Sequence, residues 1–130
     1  MIARIWHGTV AQSDGDTYAQ YMQHTGIAGY ASTEGNRGVW MLRRDIDDQT
    51  EFVMFTLWES MDAVRAFAGE RPEIAVFYPE DNRYLVERDK FVSHYEVDTR
   101  IPAGPDNAAL LPPDLQRQPP LPAGASRHRH

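Results

Sequence analysis

Five histidines stand in this 130-residue chain, and three of them fall where chemistry could use them. His7 and His94 sit in extended stretches and His24 in a helical one. Histidine titrates near neutrality without perturbation, so each is a candidate general base or proton relay. If residues 3–10 pair antiparallel with residues 91–98, His7 lies opposite His94, with side chains about 5 Å apart at Cβ. A slip of one residue would put them on opposite faces. Glu96 shares the His94 side of its strand, but no third ligand has metal-site spacing, so no metal is expected. His24, on the flank of its helix, could face a cavity between helix and sheet.

Aromatic residues supply the walls such a base would need. Trp6, Trp40 and Trp58 can line a pocket and offer indole N–H donors. Tyr18, Tyr21 and Tyr30 fall near the mouth of such a cavity, where a phenol hydroxyl can bind an anionic oxygen. Phe67 lies on the apolar stripe of a later helix, and Tyr78 and Tyr84 fall in a loop that could act as a lid. Arg37 precedes an extended run, where an inward guanidinium could hold an enolate or carboxylate. Arg43 and Arg44, beside Asp45, Asp47 and Asp48, read as a surface ion-pair cluster of small energetic value. Arg4, on the Trp6 face of the first strand, is read as pairing across a dimer. For every one of these residues plain core or interface packing is the competing reading.

Several chemistries are excluded. There is no Cys, hence no thiol nucleophile, disulfide or Cys-ligated zinc. The single lysine, Lys90, sits beside Glu87 and Asp89, a poor setting for a Schiff base. Gly35-Asn36-Arg37-Gly38 lacks the strand and helix that a phosphate loop needs, and no Ser/His/Asp signature is present. A net charge of −6 disfavours nucleic acid, which needs a basic face. No apolar run reaches the roughly 18 residues of a membrane span, and the opening MIARIWHG is no signal peptide. A cytoplasmic protein with no membrane partner is expected.

The elements that would position these residues follow from period and punctuation. Residues 51–58, EFVMFTLW, alternate as a half-buried strand and stop at Glu59-Ser60-Met61-Asp62, a helix start. Residues 2–10 and 37–44 read as further strands, with a hairpin tip at residues 45–49. Residues 17–25 form a helix stopped by Gly26, and residues 27–36 a connection. Ser60 caps a helix over 61–68 that Gly69 ends. Pro72 opens a short helical piece, PEIAVFY, Pro79–Asn82 is a turn, and residues 90–98 alternate as a fourth strand. The order βαββαβ predicts an α+β, ferredoxin-like domain with a four-stranded antiparallel sheet. Because strand 51–58 is apolar on both sides, a second subunit is the expected cover for the sheet's other face. Residues 1–98 form this domain. Residues 99–130 hold seven of the nine prolines and read as an extended or disordered tail. Leu110 and Leu111 in it could dock on a neighbouring subunit, and His128-Arg129-His130 is a terminal basic tract.

With TLWES, AVRAFAG and FVSHYEV in these elements, the chain resembles the antibiotic biosynthesis monooxygenase family of dimeric α+β barrels over residues 1–98. The Trp58-Glu59-Ser60 strand end, followed by Ala66-Phe67 on the helix, carries the likeness. The resemblance implies a homodimer and a small aromatic or phenolic substrate held between sheet and helices. It also implies oxygenation by O2 without a cofactor, with His7, His94 or His24 taking the proton. Trp6, Tyr21, Tyr30, Arg37, Trp40, Trp58 and Phe67 would bind the substrate. The haem-degrading branch uses an Asn on the first strand, a Trp in the second helix and an axial His soon after. Here the first strand has no Asn, and Phe67 and Val76 stand at the other two positions, so haem degradation of that type is not expected. The alternative is a non-catalytic dimer that binds a small ligand, haem included.

Overall fold

The computed structural model describes residues 1–101, 103, 104 and 112–116. The first unit, Met1–Val97, opens with strand β1 (Ile2–Ala11), a 3-10 turn (Gln12–Asp14) and helices α1 (Gly15–His24) and α2 (Gly26–Ser32). The hairpin β2 (Asn36–Ile46) and β3 (Gln49–Trp58) follows, then α3 (Met61–Ala68), the single turn α4 (Asp81–Tyr84), β4 (Leu85–Arg88) and β5 (Ser93–Glu96). Of the second unit, Asp98–His130, the short helix α5 (Pro113–Gln116) is described. Leu110, Leu111 and the terminal basic tract lie outside the described residues.

The sheet is antiparallel in the order β2-β3-β1, with β4 and β5 both along the free side of β1. This is the ferredoxin-like α+β arrangement, with its last strand broken in two. The single strand expected over residues 90–98 is therefore corrected to β4 and β5. Asp89 causes the break. It donates its N–H to the His7 carbonyl at 2.9 Å, and its carboxylate then takes the His7 N–H at 3.0 Å. With that donor satisfied by a side chain, the chain leaves β1. Residues 90–92 instead meet residues 73–75: Ala75 N–H donates to Lys90 O and Val92 N–H to Glu73 O, each at 2.9 Å, around an Ile74–Phe91 bridge. The helix expected after Pro72 is accordingly absent, because its β-prone apolar run finds an extended partner.

The connection expected over residues 27–36 is in fact mostly α2. Gly29 reads as a turn former but serves close packing: a Cβ there would lie 2.7 Å from the Tyr78 hydroxyl and 3.2 Å from Phe67. Helix α3 begins and ends where expected. The Ser60 side chain accepts from Ala63 N–H, and Gly69 ends the helix with φ 92°, a conformation that costs glycine nothing.

Alternation along the strands separates two faces. Val10, Phe52, Met54 and Trp58 point to the helices, where Tyr18 and Val64 complete a fully buried core. Ile5, His7, Val53, Phe55, Trp40 and Leu42 share the opposite face by register. Among the described residues of this unit no helix covers it: Trp40 is 46% and Leu42 51% exposed.

Candidate functional site

The described structure has a crevice between sheet and helices, lined by Arg4, Trp6, Tyr18, Met22, Gly26, Tyr30, Val76, Tyr78 and Asp81. Strand β1 supplies Arg4 and Trp6, α1 and α2 supply the tyrosines facing them, and the strap from Glu70 to Glu80, with the start of α4, closes the far side. The enclosed space is about 10 Å³, the scale of a single water.

Two charged side chains are buried in this wall. Arg4 is 2% exposed and Asp81 3%. The Asp81 carboxylate is held from two sides, by the Tyr18 hydroxyl at 3.2 Å and the Tyr78 backbone N–H at 2.6 Å. Arg4 has no ion pair among the described residues. Its Nη2 makes only long contacts to the Pro72 and Ile74 carbonyls, 3.4 and 3.5 Å, and its guanidinium lies 5.6 Å from the Phe67 ring centre. Burial holds the Arg4 pKa below its usual value, with the Tyr30 hydroxyl acting the other way. Burial also pushes the Tyr30 phenol up, partly offset by Arg4. Tyr18 is pushed up by burial and then by Asp81, and Tyr78 by burial. All three phenols stay protonated at neutral pH, which leaves Asp81 as the carboxyl among the described lining residues.

The residues singled out from the sequence are dispersed. Trp6 and Tyr30 line the crevice, although the Trp6 indole N–H is already donated to Asp89 O at 2.9 Å. Trp58 and Phe67 back Tyr30, with Tyr30–Phe67 ring centres 4.5 Å apart and Trp58 donating to Thr56. Tyr21 sits at the rim, its hydroxyl accepting from Glu80 N–H at 3.0 Å. Trp40 is on the open sheet face against Phe55. Arg37 is exposed and paired with Glu59. His24 is exposed, its Nδ1 2.8 Å from Gln20 O, and does not face the cavity.

The His7–His94 pair does not form. Residues joining β4 to β5 shift the register, so Arg4, not His7, lies opposite His94. The difference of three residues puts the two histidines on opposite faces. His7 points to the open face, 2.9 Å from Asp89 through Nδ1. His94 is on the helix-facing side, its pKa lowered by burial and by Arg4, with Glu73 opposing. The expected pairing of Arg4 across a dimer is likewise replaced by burial inside the subunit. Arg4 carried a usable signal: a charge at the centre of the apolar series Ile2, Trp6, Gly8, Val10 is a buried charge, and buried charges cluster at functional sites. Asp81 carried none, since Pro79-Glu80-Asp81-Asn82 reads as a turn.

Solved structures with the same arrangement are known. A provisionally assigned antibiotic biosynthesis monooxygenase from Bacillus cereus is 16% identical, with a TM-score of 0.57 over 78% of this chain and 97% of its own. A second such protein, from Nitrosomonas europaea, is 14% identical with a TM-score of 0.56 over 76% and 100%. The heme-degrader MhuD from Mycobacterium tuberculosis, with two hemes bound in its active site, is 20% identical with a TM-score of 0.55 over 78% and 100%. The chain has the fold of the antibiotic biosynthesis monooxygenases. No protein-family profile and no curated protein matches its sequence, and identities this low speak to fold alone. No histidine lines the crevice and Val76 stands where the resemblance puts the axial ligand, so no lining residue offers a haem iron an axial imidazole. Among the described residues no group of three His, Asp or Glu side chains could hold a metal ion, and no helix is long and apolar enough to cross a membrane.

Proposed function

We propose that the protein is a homodimeric, cytoplasmic, cofactor-independent monooxygenase that holds a small aromatic or phenolic substrate between the sheet and helices of each subunit. The observation that carries this reading is the crevice itself: aromatic walls around one buried carboxyl, Asp81, and one buried guanidinium, Arg4. The proton acceptor is Asp81 rather than a histidine. It takes a proton from the acidic carbon or phenol of the substrate, while the Tyr30 and Tyr78 hydroxyls donate to the oxygen that becomes anionic. The anion passes an electron to O2, and the radical pair joins in a C–O bond to give a hydroperoxide. That intermediate loses water and leaves a carbonyl. The substrate loses two hydrogens and gains one oxygen, and the second oxygen departs as water, so no external reductant is required. A ring enters only when the strap carrying Val76 and Tyr78 swings away from β1.

The dimer is supported by the uncovered sheet face, where Trp40, Leu42, Phe55 and Tyr95 stand together. Burying one such side chain contributes about 1.5–3 kcal/mol. The test is oxygen uptake with a panel of electron-rich quinols. Turnover that falls about 10²–10⁴-fold in Asp81→Asn supports the reading. No uptake with any member, or full activity in that variant, sinks it. The second reading is a dimer that binds its ligand without turnover. The small closed space favours it, and it predicts binding of the same quinols with no oxygen consumed.

A further inference from the structure

Among the described residues, two buried side-chain nitrogens have no hydrogen-bond partner, Arg4 Nε and His94 Nε2. They belong to residues directly opposite each other across the β1–β5 register. Cross-strand partners share a face and stand about 4.5–5.5 Å apart at Cβ. An orphaned buried donor is rare in native proteins, and a buried guanidinium without a counter-charge is costly. Both orphans fall on one cross-strand pair.

The nearby acids do not partner these atoms. Glu73 is bound by Arg71 Nε at 3.2 Å and is half exposed. Asp81 is held by Tyr18 and Tyr78. Arg4 in turn is braced by the Phe67 face beneath it and lines the crevice. We propose that Arg4, in the crevice wall, and its cross-strand neighbour His94, just outside the lining residues, form an oxyanion-holding pair adjoining the crevice, and that its ligand is an aromatic molecule carrying a carboxylate. Arg4 Nε–H and, in its Nε2–H tautomer, His94 would supply two N–H donors on neighbouring side chains, matching the two oxygens of a carboxylate. A neutral phenol would leave the guanidinium charge uncompensated. The inference rests on the crevice being the ligand site and makes it a site for a charged substrate: the carboxylate sits at Arg4, and the ring extends towards Asp81.

The test titrates sodium benzoate and sodium formate, at constant ionic strength, into the full chain labelled with nitrogen-15. The Arg4 Nε–H and His94 ring signals are followed. Movement of both signals with benzoate is expected, with affinity reduced at least tenfold in His94→Gln, which keeps a polar side chain at this partly buried position. Arg4→Gln should abolish the effect. Formate acting as well assigns the pair to any free carboxylate, whereas benzoate acting alone ties it to the ring-bearing ligand; both support the subsite. Signals unmoved by either salt, or a benzoate response unchanged in His94→Gln, overturn it, and a water magnetisation transfer to Arg4 Nε–H would then name a trapped water as the occupant. Quinol oxidation that persists in that case leaves the crevice standing as a site for neutral phenols. Loss of both ends both readings.

Discussion

Asp81 and His94 each make a prediction that belongs to a single side chain. Asp81 accepts from Tyr18 and from the Tyr78 N–H, so Asp81→Ala leaves two donors unpaired. It should lower stability by about 1–3 kcal/mol in urea denaturation, and Asp81→Asn by less. For His94 the folded pKa is lowered below an unfolded value of about 6.5. Above that pH both states are neutral there and stability is level. As pH falls through it, the unfolded chain takes the proton first, so stability declines towards the lower folded pKa. Denaturation at pH 7.5 and 5.5 should show a smaller loss in His94→Gln than in the parent. Arg37, exposed and paired with Glu59, is the contrast: Arg37→Ala should change stability by about 0.5 kcal/mol or less and leave ligand binding intact.

The elements most responsible for the site are α2 and the strap that follows α3. Gly29 allows the Tyr78 hydroxyl to lie against α2, so the side chain added in Gly29→Ala must push the strap outward. A loss of about 1–3 kcal/mol is expected, together with faster amide exchange over residues 76–81. Ser60→Ala removes the α3 cap at a cost of about 1 kcal/mol, far from the crevice. It should leave strap exchange unchanged. These two segments were also the ones read wrongly from sequence. Gly29 looks like a turn former, and Pro72 looks like a helix opener. Each was overruled by a partner distant in the chain: Phe67 and Tyr78 for the glycine, residues 90–92 for the run after the proline.

At the level of the whole molecule, the open sheet face requires a cover. Leu42→Asp or Trp40→Asp places a charge in the middle of the proposed dimer contact. Light scattering should find the parent at twice the subunit mass and these variants as folded monomers. A monomeric parent would remove the dimer from the proposal while leaving the crevice inside each subunit.

Read alone, the sequence determined what short-range chemistry can determine. Period-two alternation in residues 2–10 and 51–58, the cap at Ser60 and the stop at Gly69 specified strands, a helix and their order, and that order specified the ferredoxin-like sheet. The identity of the buried polar residues was settled only in three dimensions. The Asp89 carboxylate takes one backbone N–H from β1 and the last strand breaks there; beyond the break β5 pairs with β1 three residues away from the register assumed from sequence. Alternation along β1 keeps His7 on the open face, while the β5 register sets His94 beside Arg4. Side-chain facing in a sheet depends on register, and register depends on contacts between residues more than eighty positions apart, which no local pattern records.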